Sequence, residues 1–151
     1  MRRSGYPWSP MNTRRIFPIL AALMSTAAFL VGCNTTSEVS VDKTRIAPEK
    51  VREWVSRNPD RYLIVDARPE AAFRAGHLPN AIRMDPRDVD PLDPDPKFSR
   101  YKGVIVYGDD PAYGRANGLT KRMIEAGIKV SMIDGGLHAW RQRGYPVESA
   151  E

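Results

Sequence analysis

Three short apolar runs constrain the fold of this chain more than any other feature. They read YLIVDA at residues 62–67, GVIVY at 103–107 and KVSMID at 129–134. Each run is too short for a typical helix and rich in β-branched residues, so each predicts a strand buried on both faces. Helical patterns lie between the runs. This alternation predicts one α/β domain with a central parallel sheet, right-handed crossovers and helices on both faces.

Four segments carry apolar residues at helical spacing. Proline suits the first turn of the first helix, and glycines end the later ones. The predicted helical segments are marked by Pro48, Val51, Trp54 and Val55; by residues 69–76; by Ala116, Leu119, Met123 and Ala126 from Gly114 onward; and by Leu137 with Trp140.

The segment 84–98 holds four prolines and five aspartates. Proline at this density excludes a regular helix or a central strand, so we predict an exposed loop with one turn of helix. The aspartates lack the central glycine and the bidentate glutamate of a calcium-binding EF-hand loop. We therefore predict neither a metal site nor a cofactor.

The amino-terminal region is typical of an export signal. Arg14 and Arg15 precede the nearly uncharged apolar run 16–31, and Gly32 and Cys33 follow it. The run is short for a membrane span, so residues 1–32 are predicted to be a signal peptide. Met11 is a more natural start than Met1. An ordinary signal peptide, or a membrane anchor with an incidental cysteine, is the alternative.

The ending LVGC at residues 30–33 resembles the lipobox of bacterial lipoproteins. That resemblance implies a Cys33 that carries acyl chains and becomes the new amino terminus. Two or three acyl chains would hold the protein stably on a membrane. Residues 33–44 are polar and are predicted to form a lipidated flexible tether, with order beginning near Arg45. Asn34 favours the outer over the inner membrane, and the domain would face the periplasm of the cell envelope.

The basic character of the whole chain is misleading. The formal charge is +5, but four of the 23 basic residues precede Cys33 while all 18 acidic residues follow it, which leaves +1 from Cys33 onward. No stripe of lysine and arginine with interleaved aromatics is visible. We therefore exclude nucleic acid as a partner.

Three segments together resemble the signatures of rhodanese-like domains. LIVDARPEAAFRAGHLPNAIRMD begins at Leu63, VIVYGDDPAYGRA at Val104 and DGGLHAWRQRGYPVE at Asp134. The first and last match the opening and closing signatures, and the middle one takes the place of the active-site loop. The resemblance implies a single rhodanese-like domain over residues 45–148.

Active members of that family carry sulfur as a persulfide on a cysteine that follows the strand. Gly108 stands at that position here. The loop is also longer than usual, and Tyr113 takes the place of a second cysteine that a variant of the loop carries. If Cys33 is committed to lipid, the domain has no thiol. The resemblance therefore implies a fold retained without its nucleophile, and we predict no catalytic residue.

The candidate ligand-binding residues surround this loop. Asp66 and Arg68 are expected to form a polar pair at the carboxyl end of their strand, where open α/β sheets bind ligands. The pair either lines a site there or only braces the fold. Asp109 or Asp110 could serve as a nucleophile, but two solvated aspartates in a turn are favoured. His77 is expected to be structural. The full candidate set is Asp66, Arg68, Gly108, Asp109, Asp110, Tyr113, Gly114 and Arg115.

Three functions remain open from the sequence. The favoured one is a lipid-anchored, inactive module that binds or scaffolds an envelope protein. The second is an enzyme that transfers sulfur with a partner's thiol, or that acts like a phosphatase through an acidic residue. The third is a binder of a small anion or ligand in the empty loop. The two aspartates of the loop argue against an anion.

Gly108 is further expected to have a positive φ, a backbone conformation that would strain any residue with a Cβ.

Overall fold

The computed structural model describes residues 40–109 and 114–149. Five strands are present in this part: β1 (Arg45–Ile46), β2 (Tyr62–Asp66), β3 (Ile82–Arg83), β4 (Gly103–Tyr107) and β5 (Val130–Ile133). The α-helices described there are α1 (Pro48–Arg57), α2 (Glu70–Arg74), α3 (Gly114–Glu125) and α4 (Gly136–Gln142). Short 3-10 helices cover Val41–Thr44, Pro59–Arg61, Pro86–Asp88 and Pro96–Arg100.

The strands form one parallel sheet in the order β1-β5-β4-β2-β3. The three inner strands are those that the apolar runs predict, and the parallel α/β fold is confirmed. The sequence prediction missed β1 and β3. Each is an edge strand of only two residues, so neither contains an apolar run long enough to predict a strand.

Alternate residues of each inner strand face two separate hydrophobic cores, as a two-residue side-chain period requires. One core joins the sheet to α3 and contains Leu63, Val65, Val104, Val106, Leu119 and Met123. The other joins the opposite face to α1 and α4 and contains Ile64, Ile105, Val51, Leu137 and Trp140. Helices therefore cover both faces of the sheet, as predicted.

The predicted start of the domain needs correction. Val41–Thr44, which we assigned to the flexible tether, forms a 3-10 helix, and Val41 packs against the core beside α3. A hydrogen bond from the Thr44 hydroxyl to the Val41 carbonyl at 2.6 Å and the ion pair of Asp42 with Arg45 add to this packing. Residues 33–39 of the tether, with Cys33 and the predicted signal peptide, lie outside the described residues. Within the described ranges, no helix is long and apolar enough to cross a membrane.

The proline-rich segment 84–98 contains two 3-10 helices instead of the single turn predicted. Asp85 accepts a hydrogen bond from the backbone N–H of Arg87 at 3.2 Å, and Asp95 accepts one from Lys97 at 2.8 Å. These aspartates cap helix ends, a role that their short side chains favour. In residues 40–109 and 114–149, no three His, Cys, Asp or Glu side chains are grouped as metal ligands.

Candidate ligand site at the carboxyl end of the sheet

The candidate site lies where β2 and β4 end side by side. Asp66 and Tyr107 are the last residues of these strands and are paired in register. Both side chains point to the face that α1 and α4 cover, because they follow Ile64 and Ile105 by two residues. Neither side chain is exposed to solvent. A carboxylate and a phenol are thus buried next to each other at the end of the sheet that holds ligands in α/β folds.

Arg68 neutralises the buried Asp66. Its Nε lies 3.0 Å from both carboxylate oxygens, and its Nη2 lies 2.7 Å from Oδ2. The backbone N–H of Arg68 also donates to Asp66 Oδ1 at 2.9 Å. This bidentate geometry suits the planar guanidinium group and compensates for the desolvation of both charges. The predicted Asp66–Arg68 pair is therefore formed, and it is buried.

The same network ties the pair to the segment 76–78. Arg68 Nη2 donates to the Gly76 carbonyl at 2.6 Å, and the Leu78 backbone N–H donates to the Tyr107 hydroxyl at 3.0 Å. Burial, together with the charge and hydrogen bond of Asp66, raises the pKa of Tyr107 far above its usual range. Burial by itself would lower the pKa of Arg68, but the hydrogen bonds and charge of Asp66 raise it. Tyr107 therefore stays protonated and Arg68 stays charged.

Two glycines of the closing segment allow the loop after β4 to lie against α4. Gly136 has a φ of 52°, and a Cβ there would lie 2.2 Å from the Gly108 carbonyl oxygen. The Leu137 N–H donates to that same carbonyl at 2.9 Å. Gly135, with a φ of 69°, similarly has no room for a Cβ beside Ala139. Gly136 is thus required by a close backbone approach, and Gly135 by its positive φ and the contact with the Ala139 side chain.

Gly108 itself does not have the expected positive φ, so that expectation is wrong. A Cβ at Gly108 would lie 3.2 Å from the Cβ of Ala116, on the first turn of α3. This contact is tight but needs a shift of only a few tenths of an ångström. A small side chain is therefore compatible with the backbone at this position.

A cavity of about 350 Å³ opens beside Gly108. Five of the candidate residues line it, namely Arg68, Gly108, Asp109, Gly114 and Arg115. Asp66 lies behind Arg68 as its counter-ion and does not line the cavity. Asp110 and Tyr113 lie outside the described residues. The structure thus brings most of the predicted set together around one opening.

Acidic partners neutralise both arginines that line the cavity. Arg68 Nη1 lies 3.3 Å from Asp109 Oδ1, in addition to its contacts with Asp66. Arg115 Nη1 lies 2.9 Å from Asp85 Oδ2. The Arg87 N–H and the Arg115 guanidinium hold the pKa of Asp85 below its usual range. The cavity therefore presents no uncompensated arginine to an anion.

His77 has the structural contacts that we expected. Its Nδ1 lies 3.0 Å from the Phe73 carbonyl oxygen, and its ring stacks on Phe73 with centroids 4.0 Å apart. Its backbone forms an antiparallel bridge with Glu148 through hydrogen bonds of 2.7 and 2.8 Å. His77 therefore connects α2 to the carboxyl-terminal segment, and it is absent from the lining of the cavity.

Comparison with known families now identifies the fold. The family model described as "Rhodanese-like domain" matches residues 47–143. The chain belongs to the rhodanese-like family. The match covers the β2–α2 segment, the loop after β4 and the glycine pair before α4. The first two of these segments line the cavity, and the glycine pair packs against the loop at Gly108.

Known rhodanese-like and related proteins match at modest identity. Thiosulfate sulfurtransferase GlpE of Pseudomonas putida is 29% identical over 107 residues, covering 71% of this chain and 92% of that protein. An uncharacterized protein of Buchnera aphidicola is 32% identical over 93 residues, and the match spans only 63% of its length. The rhodanese-like domain of an Anabaena protein, solved by NMR, has a TM-score of 0.58 at 25% identity and covers 71% of this chain and 80% of its own.

Tyr107 is the site residue that sequence reasoning did not single out. It lies at the end of an apolar run and reads as one more core residue. The available signal was its register with Asp66: a phenol opposite a buried carboxylate can donate to it, and its hydroxyl can accept from a neighbouring backbone N–H. In this rhodanese-like domain it joins β4 to the Asp66–Arg68 pair.

Proposed function

We propose that this protein is a lipid-anchored rhodanese-like module without sulfurtransferase activity, and that it binds a partner protein in the bacterial envelope. One observation carries the proposal. Gly108 stands where the loop after β4 would present a cysteine, and the chain's single cysteine, Cys33, precedes the whole domain. Sulfur transfer through a persulfide needs a thiolate at this place.

The geometry argues against two groups beside the cavity, Asp109 and Tyr107, as nucleophiles. Asp109 is held by Arg68 at 3.3 Å, so its carboxylate is engaged in an ion pair. Tyr107 is buried, and its raised pKa keeps it a neutral phenol at the end of a strand. The cavity therefore supports a role in binding better than a role in catalysis.

The cavity is also a poor site for a small anion. Both lining arginines already have carboxylate partners, and an anion would have to displace Asp109 or Asp85. A partner protein is not limited in this way, because it can cover the rim of the cavity and contact the surrounding surface as well. We therefore prefer a protein partner to an anion.

The first test is sulfur transfer itself. We expect the protein with Cys33→Ser to produce no thiocyanate and sulfite from thiosulfate and cyanide above a denatured control. Turnover by this thiol-free chain would overturn the non-catalytic proposal. Turnover that appears only after a purified thiol protein is added would instead support the alternative, in which a partner supplies the sulfur acceptor.

Restoring the cysteine tests whether the loop is otherwise intact. In the Cys33→Ser background, Gly108→Cys should give a reactive thiol with slow sulfur transfer. The start of α3 should lower the pKa of a thiol at this place, whereas the negative charges of Asp109 and Asp110 and the tight contact with Ala116 oppose its use. Ser99→Cys, an exposed thiol far from the loop, is the matched control. Equal rates from the two variants would show that the loop confers no activation.

The lipid anchor has its own test. Cys33→Ser should abolish incorporation of labelled fatty acid and leave the signal peptide uncleaved, since the lipobox resemblance places acylation at that sulfur. Ser37→Cys in the Cys33→Ser background moves the thiol four residues along the chain. This control should not restore labelling. Equal labelling of Cys33→Ser and wild type would refute the anchor while leaving the absence of sulfur transfer untouched.

A further inference from the structure

Three basic residues immediately precede the three inner strands. Arg61 precedes β2, Lys102 precedes β4 and Lys129 precedes β5. Because the strands are parallel, all three residues lie at the amino end of the sheet, opposite the cavity. The apolar runs thus begin at a row of cations, and the proposed function uses none of them.

Backbone hydrogen bonds hold these residues side by side. The Lys102 N–H donates to the Arg61 carbonyl at 2.8 Å, and the Val104 N–H donates to the Lys129 carbonyl at 2.8 Å. Neighbouring strands lie about 4.8 Å apart, so the three backbones fall within about 10 Å of one another. Arg100, two residues before Lys102, belongs to the same end. We call Arg61, Arg100, Lys102 and Lys129 the amino-end patch.

The patch carries uncompensated positive charge. All four side chains are exposed, and none forms an ion pair with another described residue. Lys97 also lies at this end, and so do three carboxylates, Asp60, Asp95 and Glu125. Counting these groups with the patch leaves an excess of two positive charges. At the carboxyl end, by contrast, four arginines are paired with carboxylates, namely Arg68, Arg74, Arg83 and Arg115. The domain is therefore electrostatically polarised along its strands.

The amino-terminal segment reaches the domain from the same end. β1 runs parallel to β5, so the residues before it approach from the amino end of the sheet, and the Val41–Thr44 helix contacts α3 and β5 there. The eight steps from residue 33 to residue 41 span at most about 27 Å of extended chain. An anchor at Cys33 would thus keep the patch close to the membrane surface.

We propose that the amino-end patch binds the surface of an anionic phospholipid membrane and turns the cavity beside Gly108 away from it. The proposal rests on the proposed function for the membrane anchor, and it adds an orientation. Each basic side chain near an anionic surface strengthens binding by roughly a factor of five at low ionic strength. A tethered domain needs only a modest preference of this kind, because the anchor already holds it near the lipid.

Vesicle binding by the unlipidated chain tests the patch independently of the anchor. Residues 38–151 form a compact unit that contains both cores, so residues 33–151 with Cys33→Ser retain the whole domain. We expect this protein to sediment with vesicles of phosphatidylglycerol and phosphatidylcholine, and not with pure phosphatidylcholine. Binding should disappear in 1 M NaCl, where the Debye length is about 3 Å.

Charge variants show whether the patch is responsible. The triple variant Arg61→Gln, Lys102→Gln and Lys129→Gln should bind the anionic vesicles between about ten and a hundred times more weakly. A matched control removes the same charge from exposed residues that follow the carboxyl ends of strands: Lys50→Gln, Arg74→Gln and Arg87→Gln. The control should bind within about threefold of the parent, because these residues face away from the lipid. Equal losses in both variants, or no binding by the parent, would overturn the proposal.

Two labelled positions report the orientation. In the same chain, Ser99→Cys places a fluorophore at the amino end and Ala71→Cys places one at the start of α2, beside the carboxyl end. Quenchers on the lipid headgroups should quench the first label more strongly than the second. Stronger quenching of the Ala71 label would reverse the orientation and refute the proposal. An absence of fatty-acid labelling of the wild-type protein in cells would instead refute the anchor alone.

Discussion

Arg68→Met should lower the free energy of unfolding by about 3–5 kcal/mol, measured by urea denaturation. The substitution keeps much of the side-chain volume but removes the guanidinium that faces Asp66. Asp66 is fully buried, so its carboxylate would be left without a cation in a site that excludes water. The Gly76 carbonyl would also lose its donor at 2.6 Å.

Two further variants separate the ion pair from its surroundings. Asp109→Asn removes the exposed partner of Arg68 and should cost no more than about 0.5 kcal/mol, because the Asp66 contacts persist. Adding Asp66→Asn to Arg68→Met should recover part of the loss, since no buried charge remains. If Arg68→Met and Asp109→Asn had the same free energy of unfolding, the Asp66–Arg68 ion pair would not stabilise the folded domain as we predict.

Trp140→Ala should lower the free energy of unfolding by about 3–5 kcal/mol, the usual cost of deleting a buried large aromatic side chain. Trp140 is 4% exposed and belongs to the core between the sheet, α1 and α4. Its Nε1 donates to the Pro146 carbonyl at 2.9 Å, and its ring meets Tyr145 edge to face with centroids 4.9 Å apart. The residue therefore holds the carboxyl-terminal segment against α4.

Leu92→Ala is the matched control for this deletion. Leu92 is 94% exposed in the proline-rich segment, so its truncation should change stability by no more than about 0.5 kcal/mol. Trp140→Phe should fall between the two, because the ring stays but the Pro146 carbonyl loses its donor. A Trp140→Ala protein that unfolds at the same urea concentration as Leu92→Ala would show that α4 does not dock on the sheet.

The sequence alone was sufficient for the fold class and for the three inner strands. β2, β4 and β5 can be predicted from apolar runs, because a strand buried on both faces needs an apolar side chain at nearly every position. Such a run is visible in the local sequence. The helical faces, Pro48 in the first turn of α1 and the ends of the last two helices near Gly127 and Gly144 are local patterns as well. The sequence also shows directly that Gly108, and not a cysteine, follows β4.

Other features depend on contacts between distant residues. β1 and β3 have two residues each, too few to show a pattern, and they become strands only because a longer neighbour offers free backbone groups. The Val41–Thr44 helix is ordered by packing against a core whose other members lie far along the chain. Its local sequence is polar, and it was assigned to the tether for that reason.

The candidate site shows the same division. Residue types at the carboxyl ends of the strands predicted the Asp66–Arg68 pair and most of the cavity lining, because strand ends meet in a parallel sheet. The pairing of Arg115 with Asp85, the link from Tyr107 to Leu78 and the approach of Gly136 to the Gly108 carbonyl needed the folded chain. The sequence determined which groups are present at the site. Only the tertiary structure decided which charges are already neutralised, because ion pairing depends on distances of a few ångströms between segments 30 to 41 residues apart.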